Sequence, residues 1–109
     1  MIHTDNKCTD EAKAFVYLLH FDRPIGNPNN KRAQAQHYIG WCVNLRKRLF
    51  QHYTGKGAKI TQYLFENKIG WSVARVWYFE NYKKARDFER VLKRRKYARR
   101  ICRFCSMTK

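Results

Sequence analysis

Acidic residues are what this chain has least of for its size. Asp and Glu number 8 against 24 Lys and Arg in 109 residues, a formal charge of +16. That excess is larger than solubility requires and implies a polyanionic partner. DNA or RNA comes first, with an anionic membrane surface or an acidic protein ranked lower. Long apolar runs are also missing. None reaches the ~20 residues of a membrane-spanning helix, and nothing resembles the apolar core of a secretory signal. The expectation is an intracellular, soluble protein. Proline is scarce: Pro24 and Pro28 are the only two, and both fall in one stretch. The hydrophobic share of 44% argues against disorder, and 109 residues make one domain with a modest core.

Cysteine is sparse too, at positions 8, 42, 102 and 105. Cys42 lies in an apolar run and reads as a small buried hydrophobe. Cys102 and Cys105 form a single C-x-x-C, which is half of a zinc site or a redox pair. Completing a zinc site would take Cys8 with His3 or Cys42, all distant in sequence. Free thiols are the favoured reading, ahead of zinc or a disulfide.

The stretch His37–His52 organises the rest. Tyr38-Ile39-Gly40-Trp41-Cys42-Val43 suits a buried strand. The period then changes: Asn44 can cap a helix, Leu45 and Leu49 lie one turn apart, and Arg48 and His52 share a face beside them. On spacing alone, a surface helix with solvated Arg and His is the simpler reading. Upstream, residues 1–12 form an irregular arm, and Ala14–Leu19 is apolar and strand-like, fitting a central strand. Asp22–Gln36 carries turn chemistry and reads as a long exposed connection between antiparallel neighbours. Its Arg23, Lys31 and Arg32 are candidates for contact with a nucleic-acid backbone.

Downstream, a first helix is expected from Asn44 to Tyr53, stopping at Gly55. Thr54-Gly55-Lys56-Gly57 makes a turn that presents Lys56 and Lys59 to a phosphate. A second helix, Ala58–Asn67, would carry Ile60, Tyr63 and Leu64 on one side. Trp71–Phe79 is the most strand-like run; its alternating faces, Trp71/Val73/Arg75/Trp77/Phe79 and Ser72/Ala74/Val76/Tyr78, predict a central strand with Arg75 in need of a partner. Residues 81–109 hold 12 basic and 2 acidic residues. In them Tyr82, Ala85, Phe88, Val91 and Leu92 recur at helical spacing, with Glu89 at the edge of the stripe and Arg90, Lys93 and Arg94 mostly outward. Residues 98–109 form a basic tail with Ile101 and Phe104 as anchors, packed on the domain or extending it.

Taken together, Tyr17, Tyr38-x-Gly40, Leu45-x-x-Arg48-Leu49-x-x-His52, Gly55-Lys56-Gly57-Ala58-Lys59-Ile60-Thr61 and Ala85-x-x-Phe88-Glu89-x-x-x-Lys93 resemble the GIY-YIG nuclease superfamily. The likeness looks closest to its small stand-alone bacterial-type members. It runs from about Phe15 to Arg95, nearly the whole of the catalytic-type domain expected at residues 13–97. Phe15-Val16-Tyr17 holds the first motif without its glycine, and the link between the first two motifs is longer than usual. The resemblance implies an α/β (α+β) fold, a small three-stranded antiparallel sheet flanked by helices. It also implies metal-dependent endonuclease activity on phosphodiester bonds, nicking or structure-selective, in DNA, with RNA left open.

On that resemblance Glu89 would hold Mg²⁺ or Mn²⁺, and Arg48 would bind the phosphoryl oxygens. Tyr17 and Tyr38 would hold the attacking water, one of them (Tyr17 preferred) serving as general base at a pKa lowered by nearby positive charge. His52 would orient a tyrosine, relay a proton or bind phosphate. Trp41 is read as core. The competing reading is a nucleic-acid-binding protein on the same fold that does not cut. Specificity in so short a chain would come from the Asp22–Gln36 connection, a second copy or a helper protein.

Overall fold

A computed structural model describes residues 13–26, 29–30, 34–95 and 98–106. The arm at 1–12, with His3 and Cys8, lies outside the described residues, as do Lys31 and Arg32. In chain order the elements are β1 (Ala14–Gly26), β2 (Gln34–Cys42), α1 (Leu45–Tyr53), α2 (Lys59–Glu66), β3 (Trp71–Phe79), α3 (Tyr82–Arg95), α4 (Ala98–Ile101) and α5 (Arg103–Ser106). The three strands form one antiparallel sheet in the order β2-β1-β3, flanked by helices, as the sequence predicts. No helix among the described residues is long and apolar enough to cross a membrane.

Alternation along β1 divides the core in two. Ala14, Val16 and Leu18 face the layer that holds Ala85 and Leu92 of α3 together with Ile101, Cys102 and Phe104. Tyr17, Leu19 and Phe21 face the layer of Leu45 and Leu49 from α1 and Ile60 and Leu64 from α2. Because β1 pairs on both edges and is covered on both faces, its apolar residues are almost all fully buried.

Three expectations are corrected here. The run 71–79 is a strand, yet it lies at the sheet's edge; β1 takes the centre. Apolar residues on both faces of β3 report cover by two helical layers, which an edge strand receives as readily as a central one. Its faces also do not alternate strictly. The pairing jumps from Leu18↔Arg75 to Leu19↔Val73, a bulge that puts Trp71 and Val73 with Val76 and Tyr78, opposite Ala74, Trp77 and Phe79. Arg75 finds its partner at the Ile101 carbonyl, to which Nε donates. Finally, much of Asp22–Gln36 is strand. Ile25 pairs with Ala35 and Gly26 with Gln34 beyond an irregularity after His20↔His37, so the paired strands reach well into that stretch.

The helices start and stop for local reasons. The Asn44 side chain accepts the Lys47 amide at 3.0 Å, a cap of about 1 kcal/mol. Gly55, at φ 78, ends α1 in the left-handed region. In α2, Thr61 and Leu64 are the buried residues, while Tyr63 is exposed, against the expectation that it shares the packed side. In α3, Ala85 and Leu92 are buried and Phe88 packs on Trp77 and Phe79. Tyr82 and Val91 lie at the exposed border of the stripe.

Candidate active site

Tyr17 lies mid-strand in β1, directly across from Gly40 of β2. Its phenol ring crosses the space where a side chain at position 40 would be: a Cβ there would sit 2.5 Å from the Tyr17 hydroxyl and 3.0 Å from the Tyr38 ring. The glycine is needed for that close approach. The fully buried Tyr17 hydroxyl therefore points past β2 to the last turn of α1, where His52 is also fully buried.

A chain of hydrogen bonds fixes the proton positions. The Thr61 hydroxyl donates to the Ala58 carbonyl at 2.8 Å, so its oxygen is left as an acceptor for His52 Nδ1, also at 2.8 Å. That contact puts the imidazole proton on Nδ1 and leaves a lone pair on Nε2. The Tyr17 hydroxyl, 2.6 Å from Nε2, donates to it. Gly57 is the other glycine of consequence, since a Cβ there would collide with Nδ1 of His52. The glycine-rich turn after α1 thus serves to let the backbone pass over a histidine.

Arg48, one turn before His52, bonds Gln51 Oε1 at 3.2 Å and reaches the hydroxyls of Tyr17 and Tyr38. Desolvation works against its charge, but the two phenols outweigh it and it remains a cation. Burial, helped by the Arg48 charge, pushes His52 down to about 4, so it is neutral at neutral pH. Tyr17 departs from the expectation of a lowered pKa. Burial pushes its hydroxyl well above the ordinary tyrosine range, and the Arg48 hydrogen bond recovers only part of that. Tyr17 is thus a protonated donor to His52 Nε2 at neutral pH. Tyr38 completes the group, its ring centroid 6.2 Å from that of Tyr17 and 5.6 Å from that of His52.

Glu89 comes from α3. Its side chain is only 13% exposed, and its carboxylate lies 3.5 Å from Lys93 Nζ. The same ammonium sits 5.7 Å from the centre of the Tyr38 ring. One cation thus bridges the carboxylate and the phenol. Of the other basic candidates, Lys56 and Lys59 are exposed beside the His52 turn, Arg90 and Arg94 on α3, and Arg23 on the outer part of β1. Trp41 packs in the core and stacks on Tyr82 at 6.1 Å.

Two features escape the sequence reading. Thr61 is the residue that sets the His52 tautomer; its threonine was visible as the end of the Gly55–Thr61 motif, but not its partner. The second is a cluster able to hold a metal ion, formed by His20, His37, Cys102 and Cys105, whose ligand atoms all lie within 4.8 Å of one another. It occupies the opposite face of the sheet from Tyr17. Cys42, named above as a partner for the C-x-x-C pair, belongs to the Tyr17 layer and cannot join it. The signal was present: in a regular hairpin pairing Tyr17 with Gly40, residue 20 falls opposite residue 37.

The family model for the GIY-YIG catalytic domain matches residues 13–101. No curated protein and no solved structure matches the chain.

Proposed function

The chain belongs to the GIY-YIG catalytic domain family, and on that premise we propose that it is a divalent-metal-dependent endonuclease that hydrolyses phosphodiester bonds in DNA. The observation that carries this reading is the buried line from the Tyr17 hydroxyl through His52 to Thr61. A nucleophilic water held by Tyr17 and Tyr38 gives its proton toward the Tyr17 oxygen while Tyr17 passes its own to His52 Nε2. The phenol never has to persist as a phenolate, which its buried position disfavours. Arg48 binds the phosphoryl oxygens as their negative charge grows. An incoming phosphodiester also offsets the Arg48 charge, removing one of the two causes that keep His52 from accepting a proton.

Glu89 is the residue that would hold Mg²⁺ or Mn²⁺. Its position fits: a hard carboxylate, largely shielded, already has a cation against it, and Lys93 is 51% exposed and free to swing out. One carboxylate completed by water and substrate oxygens is a common mode of Mg²⁺ binding, and the bound ion would act as a Lewis acid on the phosphate. The exposed Lys56, Lys59, Arg90 and Arg94 supply a sequence-independent hold on the strand that weakens with salt.

The test is a panel of labelled duplex, single-stranded, flapped and branched DNA with matched RNA, in Mg²⁺, Mn²⁺ or EDTA, using wild type and Tyr17→Phe. Cleavage of at least one DNA is expected, with Tyr17→Phe slowing it ~10²- to 10⁴-fold and weakening binding far less. Tight binding with no cleavage of any substrate would leave a nucleic-acid-binding protein instead.

A further inference from the structure

We propose that His20, His37, Cys102 and Cys105 form a closed structural zinc site that fastens the C-terminal helical segment to the sheet. Three elements converge there. His20 on β1 and His37 on β2 are register partners on the face opposite the Tyr17 site, and the C-x-x-C pair arrives at the junction of α4 and α5. The ligand atoms, not merely the side chains, face one another. His20 Nδ1 lies 3.4 Å from His37 Nε2, 3.4 Å from Cys102 Sγ and 3.7 Å from Cys105 Sγ, and Cys105 Sγ lies 3.3 Å from His37 Nε2.

These are the edges of a tetrahedron of the right size. Zn–N of about 2.0–2.1 Å and Zn–S near 2.3 Å put neighbouring nitrogens about 3.3–3.4 Å apart, and a nitrogen and a sulfur about 3.5–3.6 Å apart. Hydrogen bonding accounts for the convergence poorly. The Nδ1 of His20 has one in-plane direction, so it can serve one of its three neighbours, whereas an ion at the centre serves all four. Charge balances as well, because two thiolates and two neutral imidazoles around a divalent cation sum to zero. That suits a half-buried position in a protein already at +16. Two thiolates are soft donors that select zinc over Mg²⁺ or Mn²⁺, so this cluster and Glu89 would hold different ions. With four protein ligands no position is left for substrate, which marks the site as structural.

The consequence is mechanical. Cys102 is fully buried, and Phe104 packs on His20 at 5.4 Å. The ion would hold Arg99, Arg100 and Arg103 against the domain by closing the long loop between His37 and Cys102.

The decisive experiment is metal analysis of the untagged full chain, purified under reducing conditions, with cobalt substituted for zinc. About one zinc per chain is expected. The Co²⁺ form should show the intense visible bands of tetrahedral cobalt and a thiolate-to-cobalt charge-transfer band. Cys105→Ser and His37→Asn should each lose the stoichiometric zinc and speed proteolysis at the C-terminal end, whereas Cys8→Ser and Cys42→Ala should keep it. Absence of zinc together with failure of Co²⁺ to give thiolate bands in the reduced wild-type chain would overturn the proposal. So would a Cys102–Cys105 disulfide in freshly isolated protein, or loss of zinc in Cys8→Ser. None of these readouts depends on cleavage of DNA, so they stand apart from the nuclease reading.

Discussion

Replacing Thr61 by valine isolates the proton line from everything else in the site. The two side chains have nearly the same shape and helix propensity, and position 61 is fully buried, so no cavity opens. The Ala58 carbonyl that loses the threonine hydroxyl still accepts the Gln62 amide at 2.9 Å. The whole cost therefore falls on His52 Nδ1, whose N–H loses its only acceptor in the line. An unpaired buried donor costs about 1–3 kcal/mol. His52 can avoid that cost by moving its proton to Nε2, but it then donates to Tyr17 and can no longer accept from it. Restoring the productive tautomer against the same 1–3 kcal/mol slows the reaction by roughly 5- to 150-fold. Single-turnover nicking of labelled DNA in Mn²⁺ measures the rate, gel shift in EDTA measures binding, and urea unfolding measures stability. Thr61→Val is expected to lose rate and stability with binding unchanged, and Thr61→Ser, which keeps Oγ, to recover the rate. A Thr61→Val enzyme that is destabilised yet nicks at the wild-type rate would show that His52 takes no proton from Tyr17.

Two further outcomes follow from the same geometry. Glu89→Ala and Arg48→Ala should each reduce cleavage at least ~10³-fold while the chain stays folded by circular dichroism; wild-type cleavage by Glu89→Ala would remove that carboxylate from metal binding. Acid should destabilise the fold. His52 is held near 4 by desolvation first, with the Arg48 charge adding to the effect. Its folded pKa lies below the unfolded value near 6.5, so the unfolded chain binds the proton first and the stability it carries is complete only above about pH 6.5. It is lost as pH falls toward 4, by about 3 kcal/mol. Urea midpoints of wild type and Thr61→Val measured at pH 7.5 and 4.5 should converge as that contribution disappears, and an unchanged gap across that window would refute neutral burial of the ring.

What could be read from the sequence is what short-range pattern encodes. The strand at 71–79, the helix after Asn44 and the stop at Gly55 each announce themselves within a few residues. Spaced motifs nominate Tyr17, Tyr38, Arg48 and His52, and the structure brings their side chains together. Glu89 is linked to them through the Lys93 ammonium. The failures are of longer range. The bulge at Ala74–Arg75 depends on β1 as a partner, and no pattern within 71–79 reports it. The raised pKa of Tyr17 comes from how deeply three elements bury it, whereas the sequence displays only the abundant positive charge. The cysteine pair looks isolated because its nearest chemical partners are on strands 68 and 82 residues away, which the hairpin register reveals.

That register ties two chemistries to one decision in folding. Along β1, Tyr17 points to one side and His20 to the other. Sliding β1 by a single position against its neighbours would turn the phenol away from its histidine and carry the imidazole away from the thiols in the same step. Chains that pair their strands wrongly would therefore be inert and metal-free together, and the zinc content of a preparation would count its competent molecules.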